Sequence, residues 1–470
     1  MRKRHISLIR TTALDVVWEQ ATGWGTVVFA GLTVMFVLSQ SLYFANNVLV
    51  DLLLYNRTPE VVDEDSEPGH TPTVHVLTPL YEESRAVVRQ TLEGIDRLEY
   101  PSAELAVYLI TEPDDERVDG YLEELLAEFE DRELTIERTT VNRRTVQTYL
   151  EEGTWDPTSD GVPRTKATAL KYAFRTLTLP PNDVVTVFDA DTVVPEDTFS
   201  LAVAGLEEYD VVQAKQTVRN HRDGWLPRLE AMGIAGWCNA IYTKTTRGPY
   251  QLLGKAYFIR VADLWAVDDW QVDAITEDLT LGIEAYTKGY SLGVIDRYIQ
   301  DICPAGFDDW VSQKRRWVAG PYSYLRYDDF APAELLRFWV YSASNQVISV
   351  VNVVGVPVGI LYFLLVVAGF DLYNSLLLVV ITAVNLVNWA YYSLKTYQAT
   401  RDGVEFASRR EALAFYLTAN PLSQLVYSMI WAVPIALAVR DYLRPPENVE
   451  FRVTPKRVET IQADTEREKV

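Results

Sequence analysis

Asp183-Val184-Val185-Thr186-Val187-Phe188-Asp189-Ala190-Asp191 is an apolar, β-branched run that stops on two carboxylates two residues apart. A stretch this short and this continuously apolar suits a central strand of a parallel sheet, buried on both faces. Upstream, Thr73 to Pro79 (TVHVLTP) reads as another strand, followed by a helical pattern from Glu82 to Leu98 and a strand at Leu105 to Thr111. That is a βαβ opening. A charged helix near Arg117 to Asp131 and a helix from Arg164 to Leu177 precede the central run, and further strands fit Asp210 to Thr217, Leu252 to Arg260 and Tyr290 to Ile295. The alternation predicts an α/β architecture: an open, mostly parallel sheet with helices on both faces and ligands at the carboxyl ends of its strands.

The chain has 470 residues, 48% of them hydrophobic, enough for one large domain or two ordinary ones. Its net charge of −22 would repel a phosphate backbone, which argues against nucleic acid as a partner. The 11 Lys and 32 Arg against 65 acidic residues resemble the balance of halophilic proteins, although a GC-rich genome would also favour Arg. Two cysteines and four scattered histidines offer neither a disulfide framework nor a zinc cluster, so a metal would have to sit on oxygen ligands. Neither GxGxxG nor GxxxxGK[ST] occurs, which removes the main support for a dehydrogenase or a P-loop ATPase.

Four runs carry no charge: Ala21 to Val50, Phe338 to Phe370, Leu372 to Leu394 and Ala412 to Val439. Each exceeds the ~20 residues that span a bilayer, so a multi-pass protein of the cell membrane is expected. The first run is too long for a cleavable signal peptide and should remain as an anchor. The chain then divides into an amino-terminal anchor segment (1–56), a soluble domain (57–336), membrane or interfacial helices (337–440) and a polar tail (441–470). Glu60 to Thr71 reads as an acidic linker. Lys395, Arg401, Arg409 and Arg410 mark their loop as cytoplasmic and put the soluble domain there too, while the basic start MRKRH also reads as inside. A single span between two cytoplasmic segments is inconsistent, so either the amino terminus is outside or one run only dips into the bilayer.

Asp189 and Asp191, at a strand's carboxyl end, project to one side if the chain stays extended, and would suit Mg²⁺ or Mn²⁺ with a nucleotide diphosphate. A solvated Asp-rich turn is the plain alternative. Thr276-Glu277-Asp278 opens a helical segment to Lys288, where carboxylates also serve as ordinary caps. As chemistry, Asp278 is a general base for a sugar hydroxyl, kept ionised by the helix dipole. In Gln313-Lys314-Arg315-Arg316-Trp317, Arg316 could hold a departing pyrophosphate and Trp317 could stack on a pyranose; a juxtamembrane basic and aromatic belt is the other reading. Lys166 opens a helix and could meet phosphate, or be a plain surface lysine. Tyr81 could stack on a base, or fill the core.

Together and in this order, these residues resemble the family 2 glycosyltransferases of GT-A (Rossmann-like) fold, especially the membrane-embedded processive synthases of cellulose, chitin and hyaluronan. The match runs from about Thr73 to Trp317 and continues into the membrane region. The resemblance implies an inverting, metal-dependent transfer of sugar from a nucleotide-sugar, UDP-linked, to a growing polysaccharide. A non-processive transfer to a polyprenol or other lipid acceptor, or an inactive glycan-binding or export subunit, are the alternatives. It also implies nucleotide-sugar contacts at Tyr81 and Glu83, near Glu112, and at Lys166 and Asp189; metal ligation by Asp189 and Asp191; and catalysis by Glu277 and Asp278 with Gln313, Arg316 and Trp317. Two departures are Thr192, where some relatives have His, and Lys171, where Asn is common. The tail Phe451 to Lys456 (FRVTPK) is similar to a gating segment of cellulose synthases.

Overall fold

Among the described residues, seven strands form one sheet in the order β3-β2-β1-β4-β6-β5-β7. The computed structural model describes residues 27–50, 52–53, 61–142, 165–245, 252–272, 274–325, 327–370, 372 and 375–443. The basic amino terminus and the Phe451 to Lys456 motif lie outside them. The strands are β1 Val74–Leu80, β2 Leu105–Thr111, β3 Thr135–Thr140, β4 Val184–Val187, β5 Val211–Val218, β6 Tyr257–Arg260 and β7 Leu292–Asp301. All neighbours pair in parallel except at β6, which runs antiparallel to both β4 and β5.

The helices around the sheet are α2 Arg85–Asp96, α3 Glu116–Ala127, α4 Lys166–Thr176, α5 Thr198–Gly205, α6 Trp225–Thr245, α7 Val261–Ala266, α8 Glu277–Thr287 and α9 Phe307–Ala319. Before them comes α1 Val27–Val50. After them come α10 Pro332–Val367, α11 Leu376–Gly403, α12 Arg409–Thr418, α13 Pro421–Ile430 and α14 Ala432–Tyr442. Successive residues of a strand face opposite layers. Val74 and Val76 join α2, α3 and α5 in one apolar cluster, while Leu77 and Val187 join α4 and α6 in the other. Both faces are therefore covered, as the apolar reading of the central strand requires.

Among the described residues, four stretches are long and apolar enough to cross a membrane: Val27–Val50, Pro332–Val367, Leu376–Gly403 and Pro421–Tyr442. The expected run from Ala412 to Val439 is divided, because the Asn420 side chain accepts from the Leu422 and Ser423 amides ahead of Pro421 and starts a new helix there. Lys395 and Arg401, expected in a loop, lie on α11. Helix α1 is held by α10 and α11: the Phe36 and Tyr362 rings stack at 4.1 Å, Tyr43 Oη donates to Asn352 Oδ1 at 2.6 Å, and Asn385 Nδ2 donates to Gln40 Oε1 at 2.9 Å. Amide pairs of this kind give apolar helices specific neighbours. Helix α6 carries Gly233 against α13, where a β-carbon would stand 2.4 Å from the Tyr427 ring.

Candidate active site

The carboxyl ends of the parallel strands share one edge, and the antiparallel strand brings the start of β6 to that edge. The Ala256 amide donates to the Val187 carbonyl at 2.8 Å, so the residues just before β6 lie beside the end of β4. Gln213 fixes the approach: its Oε1 accepts from the Leu253 amide at 3.0 Å and its Nε2 donates to the Lys255 carbonyl at 3.0 Å. Gly254 and Lys255 are thereby placed against Asp189.

Lys166, the first residue of α4, donates through Nζ to Asp189 Oδ1 at 2.6 Å and to the Gly254 carbonyl at 2.5 Å, with Glu277 Oε1 at 3.7 Å. A β-carbon on Gly254 would stand 3.2 Å from Asp278 Oδ2 and 3.5 Å from Lys166 Nζ. Lys166, Asp189, Glu277 and Asp278 thus meet around a glycine that leaves room for them. Thr276 is the N-cap of α8, although its side chain makes no cap bond, and Asp278 Oδ1 accepts from the Leu279 amide at 2.8 Å. The helix end was expected to keep Asp278 ionised. Instead burial, with the Glu277 charge beside it, raises its carboxyl to about 7, against the opposing pull of the Leu279 amide, Lys166 and Arg316. A carboxylate at that value is a better proton acceptor near neutrality than an ordinary one.

The expectation for Asp189 and Asp191 needs correction. The strand ends at Val187, and the Thr192 amide donates to the Asp189 carbonyl at 3.0 Å, so the two carboxylates sit on a turn and not on a pleat. Asp191 is 1% exposed, and its Oδ2 accepts from the Ile302 amide at 2.9 Å. A third carboxylate, Asp301 at the end of β7, joins them. Its Oδ1 accepts from Thr192 Oγ1 at 3.0 Å and its Oδ2 from Gln216 Nε2 at 2.6 Å. Between these acids lies the ammonium of Lys255, 2.8 Å from Asp189 Oδ2 and 2.6 Å from Asp301 Oδ2. Burial alone would lower this ammonium's pKa, but the charges of Asp189, Asp301 and Asp191 outweigh it and raise Lys255 well above the usual lysine range. Burial, opposed by Lys255 and reinforced by the charges of Asp191 and Asp189, raises Asp301 from its ordinary value.

These residues do not fit Mg²⁺ or Mn²⁺ held jointly by Asp189 and Asp191. Both oxygens of Asp189 already accept from ammonium groups, and a divalent ion needs carboxylate oxygens at ~2.0–2.2 Å with nothing between. Nearby, Arg219 Nε and Nη2 are buried without a hydrogen-bond partner among the described residues, so the pocket has surplus donors there.

The end of helix α9 packs against the start of α8. Gly320, just after α9, abuts the Thr276 side chain, where a β-carbon would stand 2.3 Å from Oγ1. Arg316 is exposed and near enough to Asp278 to act on its charge. Gln313 Oε1 accepts from Lys314 Nζ at 2.9 Å, and that ammonium lies 3.5 Å from the Trp317 ring centroid, so a sugar could stack only on the opposite ring face. Lys314 itself is fully buried and ion-paired with Glu230 of α6, which also accepts from Trp310 Nε1 at 2.7 Å and Tyr427 Oη at 2.5 Å. Arg315 pairs with Asp441 of α14.

Tyr81, Glu83 and Glu112 lie farther along the same edge, after β1 and β2. Glu82 adopts φ 55° and its amide donates to Asp115 Oδ2 at 2.6 Å; Asp115 also caps α3 through the Val118 amide. That aspartate therefore anchors the loop after β1. Lys171, one of the two departures, is structural: it pairs with Asp269 at 2.7 Å and, with Arg175, ties down the loop ahead of α8. Asp301, Lys255 and Arg219 were not anticipated. Asp301 ends a strand, a position that could have singled it out, but β7 was expected to stop at Ile295.

Residues 184–394 match the family described as Glycosyl transferase family group 2. The beta-monoglucosyldiacylglycerol synthase of Trichormus variabilis is 24% identical over 335 residues, covering 67% of this chain and 62% of that protein. The chain thus spans less than two thirds of that relative's length. A probable glycosyltransferase of Bacillus subtilis, YdaM, is 24% identical over 257 residues, 53% of this chain and 55% of that one. Among solved structures, a mannosyltransferase of Pyrobaculum calidifontis in complex with GDP-Man and Mn²⁺ is similar with a TM-score of 0.48 at 16% identity, covering 87% of this chain and 98% of that one.

Proposed function

We propose that the chain is a family 2 glycosyltransferase, the family its residues 184–394 match, and that it moves a hexose from a nucleotide-sugar, UDP-linked, to the hydroxyl of a lipid-borne acceptor with inversion. The observation that carries this reading is the meeting of Asp278, Lys166 and Asp189 around Gly254 at the strands' carboxyl edge. Asp278 accepts the acceptor's proton as its oxygen attacks the anomeric carbon. The bond from that carbon to the diphosphate breaks, and the electron pair leaves with the nucleoside diphosphate. Lys166 and Arg316 are the cations that meet the charge developing there, and the partial burial of Lys166 makes its fixed charge count for more than it would in water. Tyr81, Glu83 and Glu112 hold the nucleotide end.

The acceptor reading is supported by the relatives named beta-monoglucosyldiacylglycerol synthase and by the ion pair that joins α9 to α14, next to helices able to cross a bilayer. In this reading residues 57–336 are the catalytic domain, on the cytoplasmic face, and 337–440 the membrane region. A second reading, elongation of a polysaccharide, is favoured by the Gln313, Arg316 and Trp317 spacing. Incubating the purified protein with UDP-sugars and either diacylglycerol vesicles or oligosaccharide separates the two by product size. A single glycolipid supports the first reading and a long ladder the second; no sugar transfer to either would refute both.

A further inference from the structure

The cage of Asp189, Asp191 and Asp301 already holds a cation, and it belongs to the chain. We propose that the Lys255 ammonium occupies the place of a divalent ion at the donor's diphosphate, so that this enzyme binds its donor without Mg²⁺ or Mn²⁺. The inference rests on the nucleotide-sugar reading given above.

Three observations carry it. The ammonium is in hydrogen-bond contact with two of the three carboxylates, and the third acts on its charge. The fold builds this position: β6 enters antiparallel, Gln213 grips the loop on both sides of Gly254, and the Ala256 amide fastens the far end to β4. Donors are also set among the acids. Lys166, Lys255 and Arg219 stand beside the three carboxylates, and Arg219 brings buried N–H groups without acceptors among the described residues. A cation entering would meet oxygens already engaged; an anion entering would meet donors. The Lys255 and Lys166 side chains are 12% and 23% exposed, so the diphosphate can reach them from the cleft. During transfer the electron pair of the broken anomeric bond ends on the diphosphate oxygen beside these ammonium groups, and the acceptor proton ends on Asp278. Charge and atoms balance without a further reactant.

The test uses the full chain, with binding of UDP and of GDP measured by calorimetry in EDTA and in MnCl₂, and Mn²⁺ binding followed separately by electron paramagnetic resonance. For the wild type, EDTA should leave nucleotide affinity within about twofold, with no stoichiometric Mn²⁺ site. In Lys255→Ser, affinity in EDTA should fall about 10- to 100-fold, the scale of a lost charged contact, and Mn²⁺ should restore most of it. The variant should also gain one Mn²⁺ site, which the further change Asp189→Asn removes. Lys255→Arg, which keeps the charge and the fold if the serine variant does not, should retain binding in EDTA. Any of four results overturns the proposal: nucleotide binding by the wild type that requires Mn²⁺, a wild-type Mn²⁺ site lost with Asp189→Asn, unchanged affinity of Lys255→Ser in EDTA, or Mn²⁺-dependent binding by Lys255→Arg. If neither nucleotide binds under any condition, the donor reading falls, and the gain or lack of a Mn²⁺ site in Lys255→Ser still decides what the cage is built to hold.

Discussion

At Asp278 two opposing influences meet, and the magnitudes decide which governs. The amide of Leu279, Lys166 and Arg316 favour the carboxylate, but burial and the adjacent Glu277 carboxylate prevail and put its pKa near 7. A base must be deprotonated to act, so turnover should rise with pH through about 7 and level off above it. Removing the neighbouring charge with Glu277→Gln lowers the Asp278 pKa, which should move that rise to lower pH; a pH–rate profile unchanged by the substitution would contradict this origin. Asp278→Asn should cut turnover by about 10²- to 10⁴-fold while nucleotide binding persists. The sequence made Asp278, Lys166 and Asp189 legible because each terminates or opens a strongly patterned element. Lys255 was not legible, since its role depends on the direction of β6, and a short apolar run does not reveal whether a strand is parallel or antiparallel.

Among the elements, α9 shows how a short motif is held in place by something remote. The run Gln313 to Trp317 reads as chemistry, yet Lys314 within it faces inward to Glu230, and both side chains are fully buried. Breaking a buried pair from one side strands a charge and costs about 3–5 kcal/mol. Lys314→Met should lower the denaturation midpoint accordingly, and adding Glu230→Gln, which neutralises the stranded acid yet still accepts from Trp310 and Tyr427, should recover part of the loss. A double variant no more stable than the single one would mean that the pair contributes packing alone. Such a pairing joins residues far apart in sequence, and nothing local announces it. The edge strand β3 escaped notice for a different reason: Thr135 to Thr140 (TIERTT) is polar and half exposed, without the apolar run that marked its neighbours. By contrast β2 was legible to the residue, because all seven of its side chains are buried.

For the whole molecule, the alternating pattern sufficed to give a mostly parallel sheet, and the charge-free runs sufficed to give helices able to cross a bilayer. The net charge of −22 acts at the same scale. Self-repulsion among so many acids weakens the compact state, and salt at 1 M shortens its range to about 3 Å. The midpoint of thermal unfolding should therefore climb as KCl is raised from 0.1 M towards molar concentration, and a midpoint that falls would show that surface repulsion is not limiting.

Strand β6 has one more consequence, a mechanical one. It is the spine of a book, with β3-β2-β1-β4 as one page and β5-β7 as the other, and the reacting groups stand along the gutter. Asp189 belongs to the first page and Asp301 to the second, with Lys255 stitched between them. A nucleotide resting in the gutter would clamp both pages, so backbone amides of β5 and β7 should exchange their hydrogens more slowly once UDP is added, although neither strand carries the residues that hold the nucleotide end.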